Sequence, residues 1–314
     1  MKTSPTPAGN DPLTSSRRDF IRKSGSFAAG TALAGVALPH VHSATDNTVR
    51  LALIGSGNRG SGALVNAMNA TALPVKLVAM ADLFENRLQA AHKTLSDHFT
   101  DRVDVPADRQ FIGFDAFKHA IDSLRPGSGD IAMLTGYAGF RPGQLEYAVK
   151  KGVNVFMEKS FATDPPGVRR VIAAGEEAEK KGLKIAAGLM CRHSRNRQEL
   201  IKRIRAGELG DIQLIRAYRM GPSGPLKPRP EATGDLEWQL RNFTKFLWVS
   251  GGLYAEMDIH QIDELCWIHD AWPVSAHGVG GRVAGSTDCS QNLDSFSADP
   301  KLVNIFSARI IFSV

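Results

Sequence analysis

In the stretch GVNVFMEKSFATD, residues 152–164, a glutamate and a lysine follow directly on a short apolar run. Val153, Val155, Phe156 and Met157 read as a buried strand, so Glu158 and Lys159 stand where that strand ends. A lysine there either marks the chain's exit into water or is a donor aimed into a site. A second chemistry-bearing stretch comes earlier. In TVRLALIGSGNRGSGALVNAM, Gly55, Gly57 and Gly60 satisfy G-x-G-x-x-G, with Asn58 and Arg59 inside the loop. The first glycine permits a tight turn, and the second lets backbone approach a pyrophosphate. The third lets the next helix pack closely, with its N-terminal amides facing the phosphates. PVKLVAMADLF then supplies a second strand ending in Asp82, 22 residues beyond Gly60, which is the spacing of an acid that holds ribose hydroxyls. A plain glycine turn does not account for that acid. A carboxylate in this place repels a 2′-phosphate and so favours NAD over NADP.

The elements that must position these residues alternate along the chain. After the second strand the pattern predicts helix near 85–98, strand near 109–112, helix near 115–124, strand 130–134 and helix 141–151. Strand 153–157, helix 165–181 and strand 183–187 follow. Strands separated by helices argue for a parallel sheet covered on both faces. Ligands bind at the carboxyl edge of such sheets. Lys159 therefore leaves the sheet on the same side as the phosphate-binding glycines.

At 314 residues, with 43% hydrophobic content, the chain has room for two domains. Its net charge of +6 is no nucleic-acid footprint. Half of the excess sits in residues 1–44, where Lys2, Arg17, Arg18, Arg22 and Lys23 face only Asp11 and Asp19. That segment, with Ser16-Arg17-Arg18, then Phe20-Ile21 and a mild apolar run from Phe27 to Leu38, resembles a bacterial twin-arginine export signal. The run is too weak for a spanning helix, which needs about 20 apolar residues. The resemblance implies a partner in the twin-arginine export machinery and a periplasmic or exported location. Cleavage is expected near Ala44, with a membrane tether as the alternative if the segment is kept. Proteins on that route cross already folded, which suits a tightly held nucleotide. Cys191, Cys266 and Cys289 allow at most one disulfide, and no C-x-x-C or close His/Cys cluster suggests a metal.

Three features together resemble the Gfo/Idh/MocA oxidoreductases, the family of glucose–fructose oxidoreductase and inositol dehydrogenase. They are GSGNRG with Asp82, MEKS where the family has E-K-P, and GGLYAEMDIHQIDELCW where it has an acid-x-x-x-His-x-x-Asp helix. The match runs through roughly residues 48–282. It implies an α/β fold: a Rossmann domain, expected at 45–190, followed by a substrate domain with an open sheet at 191–314. Lys159 matches the family's catalytic lysine, which bonds the reacting hydroxyl and the nicotinamide ribose, beside Glu158 at the cofactor. His260 matches the general base. Glu256 stands where many members have Asp; four residues before His260 on a helix, it shares that residue's face. Asp263, one turn further, is placed to orient the imidazole. Arg192 and His193 match a cleft-facing position near substrate, whereas Asp258 and His269 read as structural or solvent-facing.

Departures from the pattern carry expectations too. Ser160 replaces the proline of E-K-P, which loosens the peptide that aims Lys159. After VSAHGVGGR the sequence no longer resembles the family, so an incomplete C-terminal sheet is expected. Trp238, Phe243, Phe246 and Trp248 are read mainly as core, with stacking on a sugar ring as the alternative. The leading expectation is an exported NAD-dependent oxidoreductase of a sugar, cyclitol or polyol hydroxyl, with a homo-oligomer through the C-terminal sheet possible. An NAD-dependent glycoside hydrolase that retains its cofactor stands beside it, as does a nucleotide-binding remnant without turnover.

Overall fold

The computed structural model describes residues 47–70, 73–221, 224–282, 289–301 and 307–313. The twin-arginine segment and its expected cleavage point lie outside the described residues. The first sheet has six parallel strands in the order β3-β2-β1-β4-β5-β6. These are β1 (Val49–Ile54), β2 (Val75–Asp82), β3 (Gln110–Ile112), β4 (Ile131–Leu134), β5 (Asn154–Met157) and β6 (Ile185–Ala187). Between them run α1 (Asn58–Ala70), α2 (Glu85–His98), α3 (Ala116–Asp122), α4 (Arg141–Lys151) and α5 (Pro165–Lys180). The predicted alternation is met element by element, with shifts of one or two residues at the ends. This is the doubly wound arrangement that the glycine pattern implied.

Period-two burial explains why the sheet needs helices on both faces. Leu51 and Leu53 of β1 pack with Leu64 and Met68 of α1 and with Leu88 and Leu95 of α2. Ala52 and Ile54, pointing the other way, belong with Ala120 and Ile121 of α3, Leu145 of α4 and Ala174 of α5. Each fully buried large apolar side chain contributes roughly 1.5–3 kcal/mol. The loop after β5 is pinned at its far end, where Asp164 caps α5 by accepting from Gly167 N at 2.6 Å. Before β5, α4 stops at Gly152 in the left-handed region, which turns the chain into the strand. The residues between β5 and the cap, Glu158 to Thr163, are thus delivered to the sheet's carboxyl edge.

Beyond β6 come α6 (Arg195–Arg205) and a second, four-stranded sheet. Its strands are β7 (Leu214–Met220), β8 (Ser275–Gly281), β9 (Ser295–Lys301) and β10 (Ser307–Ser313), in the order β7-β10-β9-β8. β7 and β10 run parallel, and the other two pairings are antiparallel. Between β7 and β8 lie α7 (Asp235–Arg241), the single turn α8 (Leu247–Ser250) and α9 (Ile259–His269). Leu265 of α9 packs on Ile215 of β7, while every residue of β8 is exposed. The expected open sheet is present. No described helix is long and apolar enough to cross a membrane.

Candidate active site

The glycine loop shows why two of its glycines admit no other residue. Gly55 has φ +96°, and a Cβ there would sit 2.4 Å from Gly136 N. A Cβ on Gly60 would lie 2.0 Å from Gly55 O and 2.6 Å from Thr135 Oγ1. Gly57 is the opposite case, with nothing within 4 Å of a Cβ, which leaves its backbone open to an approaching group. Helix α1 begins one residue later, so its N-terminal amides reach the same space. Asp82 ends β2 and is 9% exposed. Its carboxylate accepts from Ser56 N at 2.6 Å and from Phe84 N at 2.9 Å. One bond to each oxygen fixes the group and leaves each a lone pair for a ligand hydroxyl. A cleft of about 1290 Å³ runs from Asp82 and the loop to Glu158, Lys159 and Glu256.

At that far end the opening question about charge is answered. Lys159 Nζ donates to Glu256 Oε2 and to Glu256 O, both at 2.7 Å, so it turns inward rather than to water. Glu256 reaches it from a π-turn, Tyr254–Asp258, in place of the regular helix expected there. The wider turn replaces the simple four-residue facing of Glu256 and His260. Glu158 is buried and accepts at Oε1 from Arg59 Nε, with Arg59 Nη2 also at 2.6 Å. Gly188 makes room for it, since a Cβ there would lie 2.7 Å from Glu158 Oε2. Ser160, following the cis Lys159–Ser160 peptide, donates from Oγ to Ala255 O in the same π-turn.

His260 is 9% exposed, and its Nδ1 has no hydrogen-bond partner among the described residues. Burial, then the charges of Lys159 and Arg219, hold its pKa below the usual 6.5 against the pull of Asp263 and Glu158. An imidazole kept neutral is able to take a proton. Asp263 does not orient it. Its two oxygens are taken by Arg192, with Nε to Oδ2 at 2.9 Å and Nη2 to Oδ1 at 2.8 Å. A planar fork matches both carboxylate oxygens at once, which a single imidazole nitrogen cannot do. Arg192 also stacks 4.9 Å from the Trp267 ring centre, and the neighbouring His193 is exposed. Lys159 and Glu256 line the cleft, whereas His260, Asp263, Arg192 and His193 lie outside its walls. Asp258 is fully buried rather than solvent-facing; burial raises its pKa to about 6, with Arg219 opposing, and both oxygens lack partners among the described residues.

Solved structures with this architecture include a myo-inositol 2-dehydrogenase from Lactobacillus plantarum. It is 23% identical, with TM-score 0.64, over 85% of this chain and 70% of that one. A scyllo-inositol dehydrogenase from Lactobacillus casei, solved with NAD(H) and scyllo-inositol, is 22% identical with TM-score 0.64 over the same shares. An aldose–aldose oxidoreductase from Caulobacter crescentus, complexed with glycerol, has TM-score 0.65 at 18% identity, over 84% of this chain and 70% of that one. The chain shares its two-domain fold with these dehydrogenase and oxidoreductase structures. In sequence, the chain is 30% identical over 124 residues to the myo-inositol dehydrogenase Hyg17 of Streptomyces leeuwenhoekii. That stretch is 39% of this chain and 37% of the relative, so the match spans little more than a third of the curated protein. No family model matches.

Within this fold, two features of the site escaped sequence reasoning. Arg141, 1% exposed, lies among these charges at the first position of α4. Arg87 donates to Tyr137 Oη at 2.7 Å and stacks on Phe84, which Arg241 also covers at 4.1 Å. Phe243 lies 4.9 Å from Tyr137 and lines the cleft, while Phe246 is buried with Leu240 and Val249. Of the four aromatics read as core, Phe246 fits that reading, and Trp248 is 40% exposed. A signal for Arg87 was available in its place five residues after Asp82; for Arg141 no local signal existed.

Proposed function

We propose that this chain is an NAD-dependent oxidoreductase acting on a hydroxyl carbon of a cyclitol, sugar or related polyol. The observation that carries the reading is the Lys159–Glu256 pair at one end of a cleft whose other end is the glycine loop and Asp82. The open face at Gly57, the start of α1 and the remaining lone pairs of Asp82 suit a dinucleotide. NAD, when bound, accepts hydride from the substrate carbon. Gly55, Gly57, Asn58, Arg59 and Gly60 would hold its pyrophosphate and Asp82 its adenosine ribose, with Glu158 and Lys159 beside the nicotinamide end. Lys159 donates to the reacting hydroxyl, Glu256 holds the ammonium in place, and neutral His260 takes the hydroxyl proton. Arg192, pinned by Asp263, and His193 stand outside the cleft walls and would touch only a part of the substrate that projects beyond them. The inositol and aldose chemistry of the neighbours supports this substrate class.

The test incubates purified protein with NAD and with myo-inositol, scyllo-inositol and aldoses while NADH absorbance is followed. NADH formation that depends on polyol supports the reading, and none with any polyol overturns it. Asp82→Ala should weaken NAD and narrow its preference over NADP, because an acceptor and a repulsive charge go together. A second reading, a glycoside hydrolase that retains its NAD, draws support from Tyr137 and Phe243, paired aromatic rings that line the same cleft as Asp82. Release of the phenol from aryl glycosides without net NADH would favour it. We also propose export by the twin-arginine route. Arg17→Lys with Arg18→Lys should leave folded protein in the cytoplasm, and unchanged export would overturn that part.

A further inference from the structure

The largest fully buried side chain among the described residues is a cation, Arg141. It opens α4, between Phe140 and Pro142, in the wall of the cleft. Its Nη1 donates to Ser160 O and its Nη2 to Gly136 O, while Nε has no partner among the described residues. Burial lowers its pKa to about 10, and the charges of Glu256 and Glu158 work against that fall. It is therefore charged at neutral pH. Taking a cation out of water costs several kcal/mol, and an apolar side chain of similar volume often fills such a place at no loss of stability. Stability alone is thus a poor reason for an arginine here.

The two carbonyls it joins supply a better reason. Gly136 follows β4 and abuts Gly55, the first glycine of the phosphate loop. Ser160 follows Lys159 directly, and its hydroxyl bonds Ala255 O, next to Glu256. One planar fork thus ties the glycine loop's support to the lysine segment, and Ser160 passes the tie on to the π-turn. Nearby, the guanidinium charge faces the two carboxylates, Glu256 and Glu158, that hold Lys159 and Arg59. We propose that Arg141 is a positioning residue that sets Lys159 against Glu256 and both against the cofactor cleft, acting through Ser160 and Gly136. The inference rests on the reading of Lys159 as the donor in hydride transfer.

Two variants test it: Arg141→Met, neutral and of similar volume, and Arg141→Lys, charged but unable to bridge two carbonyls as a fork. The first readout is labelling of Lys159 by an amine-reactive reagent, followed by peptide mass spectrometry against exposed Lys76, which needs no turnover. The second is kcat and KM with a polyol. In Arg141→Met, labelling of Lys159 should rise several-fold and kcat should fall by about 100-fold, the scale of a small misplacement at a reacting centre. NAD affinity should hold, and Arg141→Lys should fall between. Labelling at the wild-type rate overturns the proposal whatever the turnover. Failure of both variants to fold overturns it too, by making Arg141 a folding residue. If the wild-type protein oxidises no polyol while labelling still responds, the functional reading fails and the positioning role stands.

Discussion

The two sheets of the molecule solve the same packing problem to different degrees. The six-stranded sheet buries both faces, with Leu53, Leu64, Leu77, Met80 and Leu134 at 0% exposure. In the four-stranded sheet, the described core is Ile215 with Leu265, and Val279 of β8 is 74% exposed. Site groups come from both sides of this divide: Lys159 from the covered sheet, Glu256 and His260 from the turn and helix that pack on β7. The difference teaches where precision originates. A side chain rooted in a closed core inherits its position, while one from the more open side must be tied in. The ties are visible as Lys159 to Glu256, Ser160 to Ala255, and Arg192 to Asp263.

Core truncation breaks the comparison most directly. Leu64→Ala, on the covered sheet, should lose about 2–5 kcal/mol of stability, the range for a fully buried leucine. Val279→Ala on β8 should change it by less than about 0.5 kcal/mol. Urea unfolding of the two variants checks the contrast, and equal losses would mean that β8 is covered in solution.

The ties come next. Lys159→Ala should lower turnover by roughly 100-fold or more, the scale of a positioned proton-transfer group. NAD affinity should change far less, because the glycine loop and Asp82 stand apart from it. Near-normal turnover would return Lys159 to a strand-end charge. Some loss of stability should accompany the change, since Glu256 is left buried without its partner.

The smallest expected effect sharpens the comparison through pH. Asp258 has its folded pKa raised from 3.8 to about 6 by burial. Between those values the folded state holds a proton that the unfolded state has released. Its contribution to stability is therefore present below pH 3.8 and lost as pH rises through about 6. Asp258→Asn should raise Tm at pH 8 and leave it nearly unchanged at pH 4. His260 runs the other way, since its pKa is depressed below 6.5: stability is lost as pH falls below 6.5 toward its folded value. Melting curves across pH 4–8 for the wild type and Asp258→Asn separate the two contributions. An equal Tm gain at both ends would show that charge burial is not the cause.

Much of the covered sheet was legible because its signals are local. Alternation in β1 and the glycine spacing each act within a few residues. The glycine loop could be read for the same reason, since the positive φ of Gly55 and the approach of Gly60 to Gly55 O are local, whereas the crowding by Thr135 and Gly136 came only with the fold. The charge cluster was legible only as residue types. Lys159 and Glu256 were both singled out, yet their pairing spans 97 positions and depends on a π-turn that helical spacing does not announce. Asp263 illustrates the limit. From spacing alone it belonged to His260, one turn away, but the fold brings Arg192 from 71 positions earlier with a geometry that fits better.

The sequence by itself determined a dinucleotide-type α/β sheet, the loop at its carboxyl edge and the side on which Lys159 leaves it, because these follow from periodicity and glycine sterics within short segments. Only the tertiary structure decided which acid Lys159 meets, which arginine takes Asp263, and that Arg141 lies buried in the wall of the cleft. Ion pairs and forked hydrogen bonds depend on distances of under 3 Å between groups far apart in the chain, and no local pattern carries those distances.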